Sequence, residues 1–403
     1  MVLALLLLAD CSREPVVTKQ AEQIDQRRTS RARLATGQPT GKVRPGSSRP
    51  LESRRASVAF RQEFPRGIPR IAIPADNPMT VETVALGRRL FYDRRLSGNG
   101  RFACATCHQQ RRAFTDGRAH AVGSTGGRHH RSTMSLTNVG YNSSFGWADD
   151  SVRTLEDQMK VPLFNEHPVE MGLSGRVAEV VSRFTSAADD VERFRAAFPE
   201  NPAVSLDNII KAIAAFERTL ISGDSPLDRY LYRDDRSGMS ASALRGMELF
   251  FSDRLRCVTC HAGFNLSGPV VFESSRNVSP LFHDTGLAPG GGDGTGAVDR
   301  GLFARTRKQE DAGRFRAPTL RNIAVTAPYM HDGRLPTLEA VIAHYASGGK
   351  PSDNRSRLLR PFTLSPDERK DLIAFLESLT DTRFLTNPDF ADPGSTNQLS
   401  AQD

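Results

Sequence analysis

Two copies of one short motif, Cys104-x-x-Cys107-His108 and Cys257-x-x-Cys260-His261, constrain this chain more than its length or composition does. In such a motif the two thiols can add to the vinyl groups of a haem, and the histidine offers an axial nitrogen to its iron. The alternative is half of a zinc site, which needs further thiolate or imidazole donors. The only other cysteine, Cys11, lies at the end of an apolar leader, so no cysteine is left over for a disulfide or for completing a zinc site around either motif. The spacing therefore predicts two covalently attached haems c. Cys104, Cys107, Cys257 and Cys260 are the attachment points, and His108 and His261 are the axial ligands.

Each motif follows a similar lead-in, Gly87-Arg88-Arg89-Leu90-Phe91 in one case and Gly246-Met247-Glu248-Leu249-Phe250 in the other. That repeat predicts a mainly α fold of two cytochrome c-like haem domains in tandem, with few short strands. The expected boundaries are 65–222 and 223–380, with 381–403 as a C-terminal tail. Helical periodicity supports the class. Val177, Val180, Val181 and Phe184 share a face. So do Leu206, Ile209, Ile210 and Ile213 behind a capping Ser205. Ser365-Pro366-Asp367-Glu368 combines a capping box with proline at the first helical position. Residues 290–296, "GGGDGTG", form a glycine-rich loop with no strand before it, so a phosphate-binding loop is not expected.

Of 403 residues 38% are hydrophobic, enough for packed cores, and the net charge is +8. From Cys11 to Phe64 there are twelve Lys or Arg against five Asp or Glu, a surplus of seven. Nearly all the excess charge thus sits on residues 12–64, which read as a disordered basic linker with no nucleic-acid motif. Residues 1–11 read as an export signal. "LADC" resembles a lipoprotein cleavage site that would anchor the chain through Cys11; the alternative is a cysteine lost with the leader. Either way an exported, periplasmic location is expected.

The other histidines, His120, His129, His130, His167 and His283, lie in polar stretches where solvent-facing roles are the default. A helix is predicted around Leu338, Val341, Ile342 and Tyr345, with His344 pointing away from its buried stripe. By spacing alone, a buried Tyr345 means core packing plus one hydrogen bond.

The order of "LGRRLFYDRRLSGNGRFACATCH", Trp147, "VPLFNEHPVEMG", the second haem motif and "FRAPTLRNIAVTAPYMHDG" resembles the bacterial di-haem cytochrome c peroxidase superfamily, from about Pro65 to Thr380. "FHDTGLAPGGGDG", "GRFRAPTLRN" and "FERTLISGDSPLDRY" look closer to its MauG branch, which matures methylamine dehydrogenase, and to MbnH-like enzymes. The resemblance implies that the first haem meets peroxide and the second stores and passes electrons. Ordinary peroxidases place a methionine ligand of the second haem fourteen residues after the position of His331, where this chain has Tyr345. MauG-like proteins have tyrosine there; Met330 is the rival. Ser124 stands where ordinary peroxidases carry a blocking histidine, flanked here by His120 and His129. An open first haem is expected.

Further roles follow from the resemblance. Trp147 matches the residue between the haems, the alternative being a core tryptophan. Gln158, Pro162 and Glu170 match the distal pocket, where a carboxylate can move a proton on peroxide; the bland reading of Glu170 is an exposed surface residue. Thr326 and Pro328 match carbonyl ligands of a calcium ion, with Ser132 in place of the usual asparagine and Asn138 nearby. Arg316 and Arg321 would meet haem propionates, against surface ion pairs.

Three functions are then in contention. One is a peroxide-driven enzyme whose high-valent di-haem state oxidises aromatic residues, tryptophan first, of a secreted partner protein encoded by a neighbouring gene. Another is a peroxidase fed by a small cytochrome or copper protein. The third is a di-haem electron carrier.

Overall fold

A computed structural model describes residues 58–287 and 298–394. The leader with Cys11, the linker up to Ser57, the glycine-rich loop at 290–296 and residues 395–403 lie outside the described residues. The described fold is mainly helical, with a two-stranded antiparallel sheet of β1 (Phe282–Asp284) and β2 (Arg314–Arg316). In chain order the helices are α1 (Val81–Tyr92), α2 (Cys104–Cys107), α3 (Leu155–Phe164), α4 (Val177–Thr185), α5 (Ala188–Ala197) and α6 (Leu206–Glu217). They continue with α7 (Pro226–Tyr232), α8 (Ala241–Phe250), α9 (Phe303–Thr306), α10 (Leu338–Ala346), α11 (Pro366–Glu377) and α12 (Thr382–Thr386). No helix among the described residues is long and apolar enough to cross a membrane.

The repeated lead-ins fold alike. In α1 a Thr80–Thr83 capping box satisfies the first turn, and Leu86, Leu90 and Phe91 are buried against α6. In α8 Ser240 caps the helix, and Ala243, Met247 and Phe250 are buried on the side that meets α11. A glycine sits at each crossing because the backbones touch. A Cβ on Gly87 would lie 1.8 Å from the Ala212 carbonyl oxygen and 3.0 Å from Phe216 Cβ. A Cβ on Gly246 would lie 1.9 Å from the Asp371 carbonyl oxygen and 2.9 Å from Phe375 Cβ. The same helix pair, with the same glycine contact, thus stands before each haem motif. The predicted caps hold as well: Ser205 accepts from Asn208 N–H, and Ser365 and Glu368 form the capping box of α11.

Residues 58–64, read from composition as linker, make specific contacts: Val58 and Phe60 exchange backbone hydrogen bonds with Val81 and Met79, and Gln62 Nε2 donates to Arg218 O. A β-bridge to the start of α1 outweighs the polar composition that read as linker. Residues 381–394 are likewise no free tail. Phe384 and Phe390 are buried in the core built by α1 and α6, because aromatic side chains this size gain more from burial than a surface strand can offer.

Residues 222–224, Asn322 and Asp381 meet in a buried polar network. Asp381 Oδ2 accepts from Ser222 Oγ at 3.1 Å and from Gly223 and Asp224 N–H at 2.9 Å each. Asn322 Oδ1 accepts from Asp381 N–H at 2.7 Å, and Asn322 Nδ2 donates to Ser222 Oγ. Buried groups so fully paired fix one arrangement of the connection.

Candidate active site

The second motif lies after α8 on a tight turn that Arg256, in the left-handed region at φ 57°, starts. Cys257, Cys260 and His261 line one cavity with Trp147, Arg316 and Tyr345. His261 Nδ1 meets Leu266 O at 3.1 Å, which orients the ring and leaves Nε2 toward the cavity. Tyr345 enters from α10, whose N-cap Thr337 accepts from Ala340 N–H. Burial, and then the thiols of Cys260 and Cys257, push its phenol well above the usual range. His344 turns away as predicted, with Nε2 2.9 Å from Thr285 O. Met330 also lines the cavity, so proximity alone does not separate it from Tyr345.

The first motif forms α2, with Ala103 N–H donating to Thr106 Oγ1 at 2.9 Å. His108 Nδ1 meets Phe114 O at 2.8 Å, the counterpart of the His261 contact. Glu170 stands near this motif. Its Oε1 accepts from Asn165 Nδ2 at 2.9 Å and lies 2.8 Å from His129 Nε2. Burial alone would raise its pKa, but the His129 and Asn165 contacts, with His108 nearby, hold it below the ordinary carboxylate value. Glu170 is therefore a half-buried base and not an exposed surface group.

The loop that carries Ser124 packs onto the backbone of the Glu170 segment. Ser124 N–H donates to Glu170 O at 2.8 Å, and Ser124 O accepts from Asn99 Nδ2. His129 corrects the solvent-facing expectation, since its Nε2 is committed to Glu170. His283 corrects it too: burial lowers its pKa and it lines the cavity that His261 enters. His120 Nδ1 is buried with no hydrogen-bond partner among the described residues. Gln158 and Pro162 lie on α3, where Pro162 O accepts from Met171 N–H and so draws the Glu170 segment back along the helix.

Trp147 is half-buried. Its Nε1–H donates to Ser132 O at 2.9 Å, and its carbonyl accepts from Arg316 N–H at 2.8 Å. Arg316 is buried with no carboxylate partner among the described residues. It donates to Asn142 Oδ1 at 3.1 Å and Gly146 O at 3.3 Å, and burial lowers its pKa to about 10. A buried guanidinium without an anion suits a propionate. Arg321 does not share that role. Its guanidinium grips Asp228 with two 2.8 Å hydrogen bonds, a buried pair where a propionate or a surface contact was expected.

Thr326, Pro328 and Ser132 all line the His261 cavity. Asn138 is spoken for: its Oδ1 accepts from Ser222 N–H and its Nδ2 donates to Ser222 O and Asn265 Oδ1. The pairing of His129 with Glu170, the role of Asn165 and the parallel stack of His331 on Phe315, 3.6 Å between ring centroids, have no signature in the sequence. Only the "NEHPVE" string offered a hint of Asn165.

The donor set decides between haem and zinc. All four motif thiols are unpaired in disulfides, and burial pushes those of Cys107 and Cys257 up to about 12. Zinc would need thiolates with further donors, yet among the described residues no three His, Cys, Asp or Glu cluster closely enough to hold an ion. Two neutral thiols beside an oriented imidazole, in a cavity, fit a haem c.

Residues 81–236 match the family described as di-haem cytochrome c peroxidase. The methylamine utilization protein MauG of Methylorubrum extorquens is 36% identical over 324 residues, 80% of this chain and 84% of that protein. The chain belongs to the di-haem cytochrome c peroxidase family. As a member it is an oxidoreductase of the di-haem type, with two c-type haems. The cytochrome c551 peroxidase of Pseudomonas aeruginosa is 33% identical over 306 residues, 75% of this chain and 80% of that one. A crystal structure of a MauG-like protein associated with microbial copper homeostasis is 43% identical, with a TM-score of 0.79 over 83% of this chain and all of that one. A di-haem peroxidase accounts for two oriented imidazoles, one beside a carboxylate base and one in a cavity with a tyrosine.

Proposed function

We propose that this enzyme uses hydrogen peroxide to oxidise aromatic residues, tryptophan first, of a secreted partner protein, from two tandem haem domains exported to the periplasm. When bound, the two haems supply the redox chemistry: reduction of peroxide and storage of its two oxidising equivalents. The observation that carries the reading is Tyr345 in the His261 cavity, at the position where ordinary peroxidases have methionine. A phenol oxygen is a harder donor than a thioether and favours oxidised over reduced iron. A site that holds oxidising equivalents suits a macromolecular substrate better than rapid turnover with a small donor protein.

The remaining residues take complementary parts. His108 and His261 would hold the two haem irons through their ring nitrogens, each ring steadied through Nδ1 by Phe114 O or Leu266 O. Glu170, an ionised base at neutral pH, takes a proton from one peroxide oxygen and returns it to the other, with His129 and Asn165 fixing its orientation. Arg316 answers a propionate. Trp147, hydrogen-bonded on one side to Ser132 and on the other to Arg316, is the conduit between the two haem segments. Thr326 and Pro328 carbonyls with Ser132 would hold the calcium ion.

The test treats the holoenzyme with peroxide and then adds the secreted protein encoded beside it. An oxygen-dependent mass shift on a tryptophan of that protein is expected, and Trp147→Phe should prevent it while retaining two haems. If the partner stays unmodified while a small reduced cytochrome is turned over rapidly, the enzyme is a detoxifying peroxidase.

A further inference from the structure

A second cavity, of about 410 Å³, opens beside the sheet between β1, β2 and residues 353–357. At roughly 30 Å³ per water, it has room for a carboxylate side chain with its hydration. The third wall is held in register by Ser356 N–H donating to Asp284 O at 2.9 Å and by a parallel bridge between Asp284 and Arg355. Three arginines line it, Arg314, Arg355 and Arg357, against two aspartates, Asp284 and Asp353.

The charges are unevenly used. Arg314 is paired with Asp311 at 3.3 Å. Asp284 takes its hydrogen bonds from neutral donors, Gly286 N–H at 2.8 Å and Ser352 Oγ at 2.5 Å, and not from an arginine. Arg355 donates to a backbone carbonyl, Gly348 O, at 2.9 Å. Among the described residues no carboxylate forms an ion pair with Arg355 or Arg357, and Arg357 is exposed at the rim. Two arginine forks near one opening make a receptor for a planar anion. The place matters as much as the charge. His283, Asp284 and Ser356 line both this cavity and the one that holds His261 and Tyr345, so an occupant is separated from the second haem site by a single layer of side chains.

We propose that this cavity binds an acidic side chain of the partner protein and thereby docks that protein against the wall of the second haem site. The inference rests on the reading of a protein substrate given above and adds where that substrate binds and by what chemistry. A carboxylate on a protein and free inorganic phosphate offer the same recognition, so both enter the test.

The probe is a labelled peptide with a tryptophan flanked by four glutamates, compared with the same peptide carrying glutamines. Binding to the holoenzyme is read by fluorescence anisotropy at low and high salt. The acidic peptide should bind at least tenfold more tightly than the neutral one, and Arg355→Gln/Arg357→Gln should remove the difference with haem content unchanged. If the double variant is poorly folded, Arg357→Gln alone, at an exposed side chain, should weaken acidic-peptide binding several-fold. Binding within twofold of the wild type in a folded variant overturns the proposal. Arginine-dependent phosphate binding with arginine-independent peptide binding also overturns it, leaving a small-anion site. If the peptide docks as expected but peroxide leaves its tryptophan intact, the docking site stands and the oxidation of a protein substrate is what fails.

Discussion

At the scale of single residues, the two haem segments differ in what faces them. Tyr345 presents a phenol that burial keeps protonated in the absence of a metal, and an iron would have to compete for that proton. Tyr345→Phe removes the donor without removing the ring. It should retain two haems by pyridine haemochrome assay but change the low-spin signal in electron paramagnetic resonance. An unchanged signal would assign the axial position elsewhere, with Met330 first in line. On the other side, Glu170 is held below its ordinary value of 4.5, so it is ionised above that and loses its charge only as pH falls through a lower value. The peroxide rate should therefore be flat from neutral pH down past 5 and drop only in stronger acid. His129→Ala removes one of the contacts that lower it and should move that drop upward. Glu170→Gln should slow the peroxide step roughly 10²-fold, the low end for general acid–base catalysis, with both haems bound. Asp299 follows the same sign for stability. Burial opposes its charge, but Arg131 at 2.7 Å holds its pKa to about 2, so the stability it contributes is present above pH 3.8 and is lost as pH falls toward 2.

At the scale of elements, the two glycine crossings make a paired prediction. Gly87→Ala and Gly246→Ala each drive a Cβ into a backbone carbonyl, which cannot swing aside as a flexible side chain could. Each should cost about 3 kcal/mol, the upper part of the range for overpacking, in thermal or denaturant unfolding. A cost below about 1 kcal/mol at either would mean that its helix pair slides apart freely. These elements were the most legible part of the sequence. The caps at Ser205 and Ser365, the stripe of Val180 and Phe184 and the helix carrying Tyr345 all follow from local chemistry, which acts within a turn or two. The two c-type haems of the family were legible for the same reason, since they are announced by a five-residue motif. What was not legible depends on contacts far apart in the chain. His129 meets Glu170 across 41 residues, and Arg321 meets Asp228 across 93, so neither partner could be read from its own neighbourhood. The contacts of Val58 and Gln62, and the burial of Phe384 and Phe390, were hidden likewise, because composition reports polarity and not a distant partner.

At the scale of the whole molecule, residues 382–391 pack against the elements around the first motif. After Asp381 joins the buried network, α12 and the residues behind it run along α1. Arg88 donates to Ala391 O at 2.7 Å and Pro388 O at 2.6 Å, Tyr92 Oη to Phe390 O at 2.6 Å, and Gln110 Nε2 to Asn387 O at 2.9 Å. Phe384 packs edge-on to Phe114 at 5.6 Å between centroids, and the Phe114 carbonyl is the group that orients His108. The segment that follows the second haem half thus buttresses the axial histidine of the first. Phe384→Ala should cost about 3–5 kcal/mol, the usual range for a buried phenylalanine, and should loosen the Phe114 ring beneath His108. Ending the chain after Thr380 should go further, uncovering Phe114 and leaving Ser222, Gly223 and Asp224 without the carboxylate they share. In both variants the signal of the first haem and its reaction with peroxide should change, while the low-spin signal of the second haem stays as in the wild type. Equal loss at both haems would mean that the segment supports the junction between the halves and not the His108 side. No change at either would mean that Phe114 needs no support from Phe384 to hold the imidazole.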